Sequence, residues 1–261
     1  MFQTLEIERQ NSVATIWMNR PDRHNAFDEN LIAELTAAFQ ALETDESVRV
    51  AVLAGRGKSF SAGADLNWMK RAAGYTVEQN LADARQLATM LRTLAELRKP
   101  TIARVHGAAL GGGMGLAAAC DLCVASTAAS FATSEARFGL IPATIGPYVL
   151  RAIGARQASR YFLTAERMDA RRAWELGLAH ELTEPDELDA RIRDIVNALV
   201  AGGPQAQAAA KDLIRALADR PVDDALVKDT AQRIARIRAT PEAKEGLSAF
   251  LEKRPPNWME S

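Results

Sequence analysis

Cysteine and histidine are scarce: the 261 residues hold two of the first and three of the second. Two cysteines cannot build a disulfide framework, so a reducing, cytoplasmic setting is expected. Excess charge of one sign is also missing. Lys plus Arg total 32 against 33 for Asp plus Glu, a formal net charge of −1. A generally basic nucleic-acid binder is thereby disfavoured, and no nucleic-acid partner is expected. No apolar run approaches the ~18 residues of a membrane span, and no membrane partner is expected. The opening MFQTLEIERQ lacks a basic stretch followed by an apolar one, so no secretory signal is read there. What the chain does have is 48% hydrophobic and 25% charged residues, the balance of a globular protein with a sizeable core.

Hydrophobic periodicity predicts strands over 2–8 and 12–18, meeting around Gln10-Asn11. A helix is predicted from about Asp28, with Leu31, Leu35, Ala38 and Leu42 on one face. Val48–Leu53 reads as a buried strand, and the glycines after it as a loop. A long helix over 77–97 carries Leu87, Leu91 and Leu94 on one side, and Pro100 closes it. Then follow a strand at 101–105, a glycine-rich turn over 107–113, a helix from about Gly113 and a strand over 122–125. From Glu184 onward the pattern is helical. Strand–helix alternation implies an α/β protein, divided here into a body over 1–198 and a helical lobe over 199–261.

Three motifs need weighing as decoys. Gly55-Arg56-Gly57-Lys58-Ser59 looks like the end of a phosphate-binding loop, but the first glycine of that motif would fall on Val52. Cys120-Asp121-Leu122-Cys123 has neither a second cysteine pair nor a histidine cluster to complete a zinc site, and it leads into a strand; buried structural thiols are the expected reading. No metal is expected. Gly111-Gly112-Gly113-Met114-Gly115 lacks dinucleotide-loop spacing. It nonetheless lets a ligand oxygen approach backbone N–H groups at a helix start, where the dipole favours negative charge.

Two glycine-bearing segments, Ser61-Ala62-Gly63-Ala64-Asp65 and Ala109-Leu110-Gly111-Gly112-Gly113, each follow a strand and carry little side chain over their amides. Two such N–H donors aimed at one carbonyl oxygen form an oxyanion hole and stabilise an enolate beside a thioester. A nearby carboxylate can then move protons or activate water. Glu135, within SEARFGLIP, is the candidate.

At these residues the chain resembles the enoyl-CoA hydratase/isomerase (crotonase) superfamily. The resemblance runs through NRPDRHNAF, FSAGADL, KPTIARVHGAALGGGMGLAAACDL, FATSEARFGLIP, LTAERMDARRAWELGLAHEL and AFLEKRPPNW, in that order. It implies a spiral of strand-strand-helix turns with a C-terminal helical trimerisation region, and a homotrimer or a hexamer made of two trimers. It implies an oxyanion hole from the amides of Ala62 and Gly112, with Glu135 as the catalytic acid–base. It further implies an acyl-CoA cleft lined by Ala62, Gly63, Ala64, Asp65 and Leu66. Arg23 and Lys253 would hold the nucleotide end of CoA, Phe250 would pack nearby, and a neighbouring subunit is one source of the last two. Trp68, Met69 and Tyr148 would bound the acyl pocket, and Arg137 is a candidate partner for a substrate carboxylate. CoA is part of the substrate, and no separate cofactor is implied.

The chain departs from the family at one point. Hydratases of the family hold water with two glutamates; one matches Glu135, and the other falls on Gly115. Many of the family's isomerases shuttle a proton with a single glutamate, which keeps a Δ3-Δ2-enoyl-CoA isomerase open. The bacterial methylglutaconyl-CoA and isohexenylglutaconyl-CoA hydratases, which this sequence resembles more finely, also carry glycine there. That resemblance implies hydration of a branched or glutaconyl-type enoyl-CoA.

Overall fold

The structure, a computed structural model, describes residues 2–218 and 220–259. Its first half runs β1 (Leu5–Gln10), β2 (Val13–Met18), α1 (Glu29–Thr44), β3 (Val50–Gly55), β4 (Ser59–Ser61), α2 (Leu66–Ala72), α3 (Val77–Glu96), β5 (Thr101–Val105) and β6 (Ala108–Leu110). Then come α4 (Gly112–Ala119), β7 (Leu122–Ser126), β8 (Ser130–Ala132), α5 (Gly146–Thr164), β9 (Met168–Asp169), α6 (Ala170–Glu175) and β10 (Glu181–Thr183). Four helices complete it: α7 (Leu188–Ala201), α8 (Pro204–Leu217), α9 (Asp224–Arg238) and α10 (Pro241–Glu252).

After the first hairpin, strands come in pairs that part company. β1 and β2 stay together in a six-stranded sheet ordered β1-β2-β3-β5-β7-β10, whereas in β3/β4, β5/β6 and β7/β8 the first strand joins that sheet and the second joins a four-stranded one, β4-β6-β8-β9. Each strand-strand-helix turn thus advances both sheets by one strand, which makes the α/β spiral. Among the described residues only β1–β2 and β8–β9 pair antiparallel. β3 is buried along its whole length, as a central parallel strand covered on both faces must be. On one face α1 contributes Leu31, Leu35, Ala38, Phe39 and Leu42 to the main core. On the other, α7 brings Leu188 and Ile192 against Val50, Val52, Ile102 and Val124. Each large apolar side chain buried so fully is worth about 1.5–3 kcal/mol.

Local chemistry sets the ends. Asp28 accepts from Leu31 N at 2.9 Å and starts α1. Thr76 and Gln79 form a reciprocal capping box on α3. Five strands of the larger sheet match the periodicity to within a few residues; the sixth, β10, is too short to have been read from it. The smaller sheet does not match: β4 and β6 lie in stretches that read as a loop and a glycine turn. Three residues are too few to show an alternation.

The expected boundary at 198/199 falls inside α7. Beyond it, Arg49 reaches from the sheet to the Gly202 and Trp258 carbonyls. Lys211 on α8 is buried and donates to Asp121 Oδ2 at 2.5 Å and to the Lys99 carbonyl at 3.0 Å. No helix is long and apolar enough to cross a membrane among the described residues.

Candidate active site

The site grows from the loop after β2. Asn25, at φ 53°, holds this loop folded. Its buried side chain accepts from Arg20 N at 2.8 Å and donates to the carbonyls of Arg56 and Ser59 at 2.9 and 2.8 Å. Asparagine tolerates this left-handed backbone better than most residues. So held, the loop stitches itself to the segment after β4. Ala62 N donates to His24 O at 2.9 Å, Phe27 N to Gly63 O at 2.7 Å, and Asp65 N to Phe27 O at 2.8 Å.

Phe27 and Ala64 form a parallel bridge, in which Phe27 bonds to the residues on either side of Ala64 and the N–H of Ala64 itself points away. With Ala62 and Asp65 turned to the loop, the Ala64 N–H is left without an acceptor among the described residues. This corrects the expectation for Ala62, whose N–H is spent on His24; the outward amide of the segment belongs to Ala64. Sequence spacing could not separate the two, because the distinction is made by a loop some forty positions upstream.

Gly112 opens α4, so its N–H has no acceptor within the helix. A side chain there would displace its neighbour: a Cβ would stand 2.5 Å from the Phe27 ring. Gly63 takes φ +90°, and its Cα lies 3.8 Å from the position a Cβ would occupy on Gly111. The two glycine-bearing segments therefore abut.

Glu135 begins a short 3-10 turn, Glu135–Phe138, and meets the same place. Its Oε1 lies 3.4 Å from that Gly111 Cβ position. Its Oε2 is buried with no hydrogen-bond partner. Burial raises the Glu135 pKa above the ordinary carboxylate value, opposed only by a hydrogen bond from its own backbone. A half-buried acid with a free oxygen beside unshielded amides is the arrangement that acid–base work requires.

The remaining predicted residues take several places. Asp65 is buried and structural: it caps α2 through Asn67 N at 2.8 Å and pairs with Arg20 at 3.2 Å. That corrects its placement among ligand contacts. Arg23 stays exposed beside it, with Nη1 3.4 Å from Asp65 Oδ2. Leu66 is exposed and Met69 half-buried. Trp68 is buried and donates from Nε1 to Asp83 Oδ1 at 3.1 Å. Tyr148, in the first turn of α5, packs against the main core. Arg137 is exposed and has no ion-pair partner among the described residues. Phe250 is exposed, and Lys253 ends α10, which packs on α8 and α9. Asp83, Arg20 and Ile145 carried no signal in the sequence; their roles arise from contacts between distant elements.

The decoys resolve as packing. Gly55–Ser59 leads from β3 into β4 rather than into a helix. Both cysteines are buried and free, and burial pushes the Cys123 thiol up to about 12. Among the described residues no group of three or more His, Cys, Asp or Glu could hold a metal ion.

An α/β spiral thus brings two glycine-bearing segments and one half-buried acid to a single place. Residues 8–261 match the enoyl-CoA hydratase/isomerase family. The chain belongs to that family. An enoyl-CoA hydratase from Shewanella pealeana superposes with a TM-score of 0.96 at 45% identity, over 98% of this chain and 96% of that one. The short-chain-enoyl-CoA hydratase of Clostridium acetobutylicum is 33% identical over 95% of this chain and 94% of its own length. The 2,3-dehydroadipyl-CoA hydratase of Escherichia coli is 32% identical over 97% and 98%.

Proposed function

We propose that this enzyme adds water across the α,β double bond of an enoyl-CoA thioester whose acyl chain is branched or of the glutaconyl type. The observation that carries this reading is the buried, unpartnered Glu135 Oε2 beside the amide-bearing segments. The Glu135 carboxylate takes a proton from water as the water oxygen bonds to the β-carbon. The π electrons move through the α-carbon onto the thioester oxygen, where the Ala64 and Gly112 N–H groups hold the enolate. The Glu135 acid then returns the proton to the α-carbon, so one water is added and the carboxylate is regenerated. No metal or redox step enters.

A second carboxylate on the acyl chain is supported by the unpaired guanidinium of Arg137 in the same turn as Glu135, and by the dicarboxylic acyl group in the name of the Escherichia coli relative. Trp68, Met69 and Tyr148 bound the acyl group, and Arg23 with Lys253 and Phe250 serves the CoA end. Leu247, Phe250 and Leu251 stand exposed on α10, which supports burial against further copies in a trimer or a dimer of trimers and completion of the CoA site by a neighbour. The lone carboxylate also supports a second reading, a Δ3-Δ2-enoyl-CoA isomerase in which Glu135 carries a proton from C2 to C4.

Purified enzyme offered 3-methylglutaconyl-CoA, crotonyl-CoA and a 3-enoyl-CoA side by side separates these. Loss of enoyl absorbance with the gain of one water mass supports hydration. Conversion of the 3-enoyl-CoA alone, without mass change, overturns it in favour of isomerisation.

A further inference from the structure

Ile145, in the loop leading into α5, lies directly over Gly115. Its Cβ is 2.8 Å from the position a Cβ would occupy on Gly115, and its Cγ2 is closer still. Ile145 itself is buried. Gly115 follows Gly111 by one turn of α4, and its N–H donates to Gly111 O at 3.0 Å. Gly111 is the N-cap of α4, so the two glycines lie about 6 Å apart, one turn along it. Glu135 stands over the first glycine and Ile145 over the second. The isoleucine therefore fills the space that a side chain from residue 115 would take, one helical turn from the glycine that Glu135 covers.

We propose that Ile145 determines specificity by holding that position closed: no second proton-carrying group can stand next to Glu135, and the site is committed to one-carboxylate chemistry. This rests on the hydratase reading and deepens it. With an apolar neighbour, Glu135 receives no help from the protein in holding the attacking water. A substrate whose acyl chain supplies its own polar group is then favoured over a plain alkyl enoyl thioester such as crotonyl-CoA. Ile145 acts through its neighbours and is a positioning residue. No charged side chain contributes to the elevation of the Glu135 pKa, so the dry wall around the carboxylate is its source.

The test is a double-variant cycle: Gly115→Glu, Ile145→Gly, both together, and Gly115→Ala with Ile145→Gly as the control that restores bulk without a carboxylate. Gly115→Glu alone should lower Tm and lose activity toward 3-methylglutaconyl-CoA. The Gly115→Glu/Ile145→Gly pair should recover Tm and hydrate crotonyl-CoA about 10²-fold faster than the alanine control, the lower range for one acid–base group. Its pH–rate profile should show one ionisation more than that of the wild type.

A Gly115→Glu variant as stable and active as the pair overturns the proposal, as does a pair no faster on crotonyl-CoA than the alanine control. Failure of the hydratase reading looks different: wild type then hydrates none of the 2-enoyl thioesters. In that case additive Tm changes in the cycle still reject the coupling of the two residues.

Discussion

The indole Nε1 of Trp68 donates to the carboxylate of Asp83 at 3.1 Å, tying α2, just past the cleft, to the first half of α3. α2 is only two turns long, so this bond fixes where its buried tryptophan sits. Asp83→Leu leaves the indole N–H without an acceptor, a loss of about 1–3 kcal/mol. The expected outcome is a KM for the acyl-CoA raised several-fold with a smaller change in kcat. Asp83→Asn keeps a carbonyl acceptor and should restore KM; a normal KM in the leucine variant refutes the positioning.

Glu135→Gln keeps the shape of the side chain and removes its proton chemistry. kcat should fall by at least ~10²-fold. Stability should move the other way. The raised native pKa means that the folded state favours the neutral acid, so its stabilising contribution is complete below the unfolded pKa and is lost as pH rises through the folded one. At neutral pH the variant should therefore melt higher than wild type, with the difference shrinking toward acid. In wild type, the acid limb of kcat/KM should lie above the ordinary glutamate range.

Amide-to-ester exchange separates the two alanines of the SAGAD segment. Lactic acid built in at position 64 removes one outward N–H and should cost about 10²–10³-fold in kcat with little change in Tm. The same exchange at position 62 removes the bond to His24 and should register chiefly as a lower Tm. Equal kinetic effects at both positions would falsify the assignment of Ala64.

Lys211→Met strands the Asp121 carboxylate, which also accepts from Thr101 N at 2.8 Å. Breaking a buried pair costs up to about 3–5 kcal/mol, and the partial exposure of Asp121 lowers that figure. A Tm drop of several degrees with unaltered kcat is expected; an unchanged Tm removes Lys211 as the anchor of α8.

Much of this architecture could be read from the chain alone. Leu31, Leu35, Ala38 and Leu42 announced α1 because a sixteen-residue helix shows its period several times over. β3 announced itself by continuous apolar character. The strands β4 and β6 did not, since their identity depends on neighbours rather than on pattern. The site divides in the same way. Glu135 and the paired glycine segments were visible as chemistry, whereas the choice between Ala62 and Ala64 was decided by the carbonyl of His24. The packing of Ile145 on Gly115 belongs to two elements thirty residues apart, and no local window contains it.

The stitching of residues 62–65 to the His24–Phe27 loop has an evolutionary corollary. The outward amide is selected by its register opposite Phe27, so the site has a reading frame. Loss or gain of one residue between Ser61 and Asp65 would put a different residue opposite Phe27 while leaving every side chain of the catalytic machinery intact. Substitutions here can be absorbed one at a time; changes in length cannot.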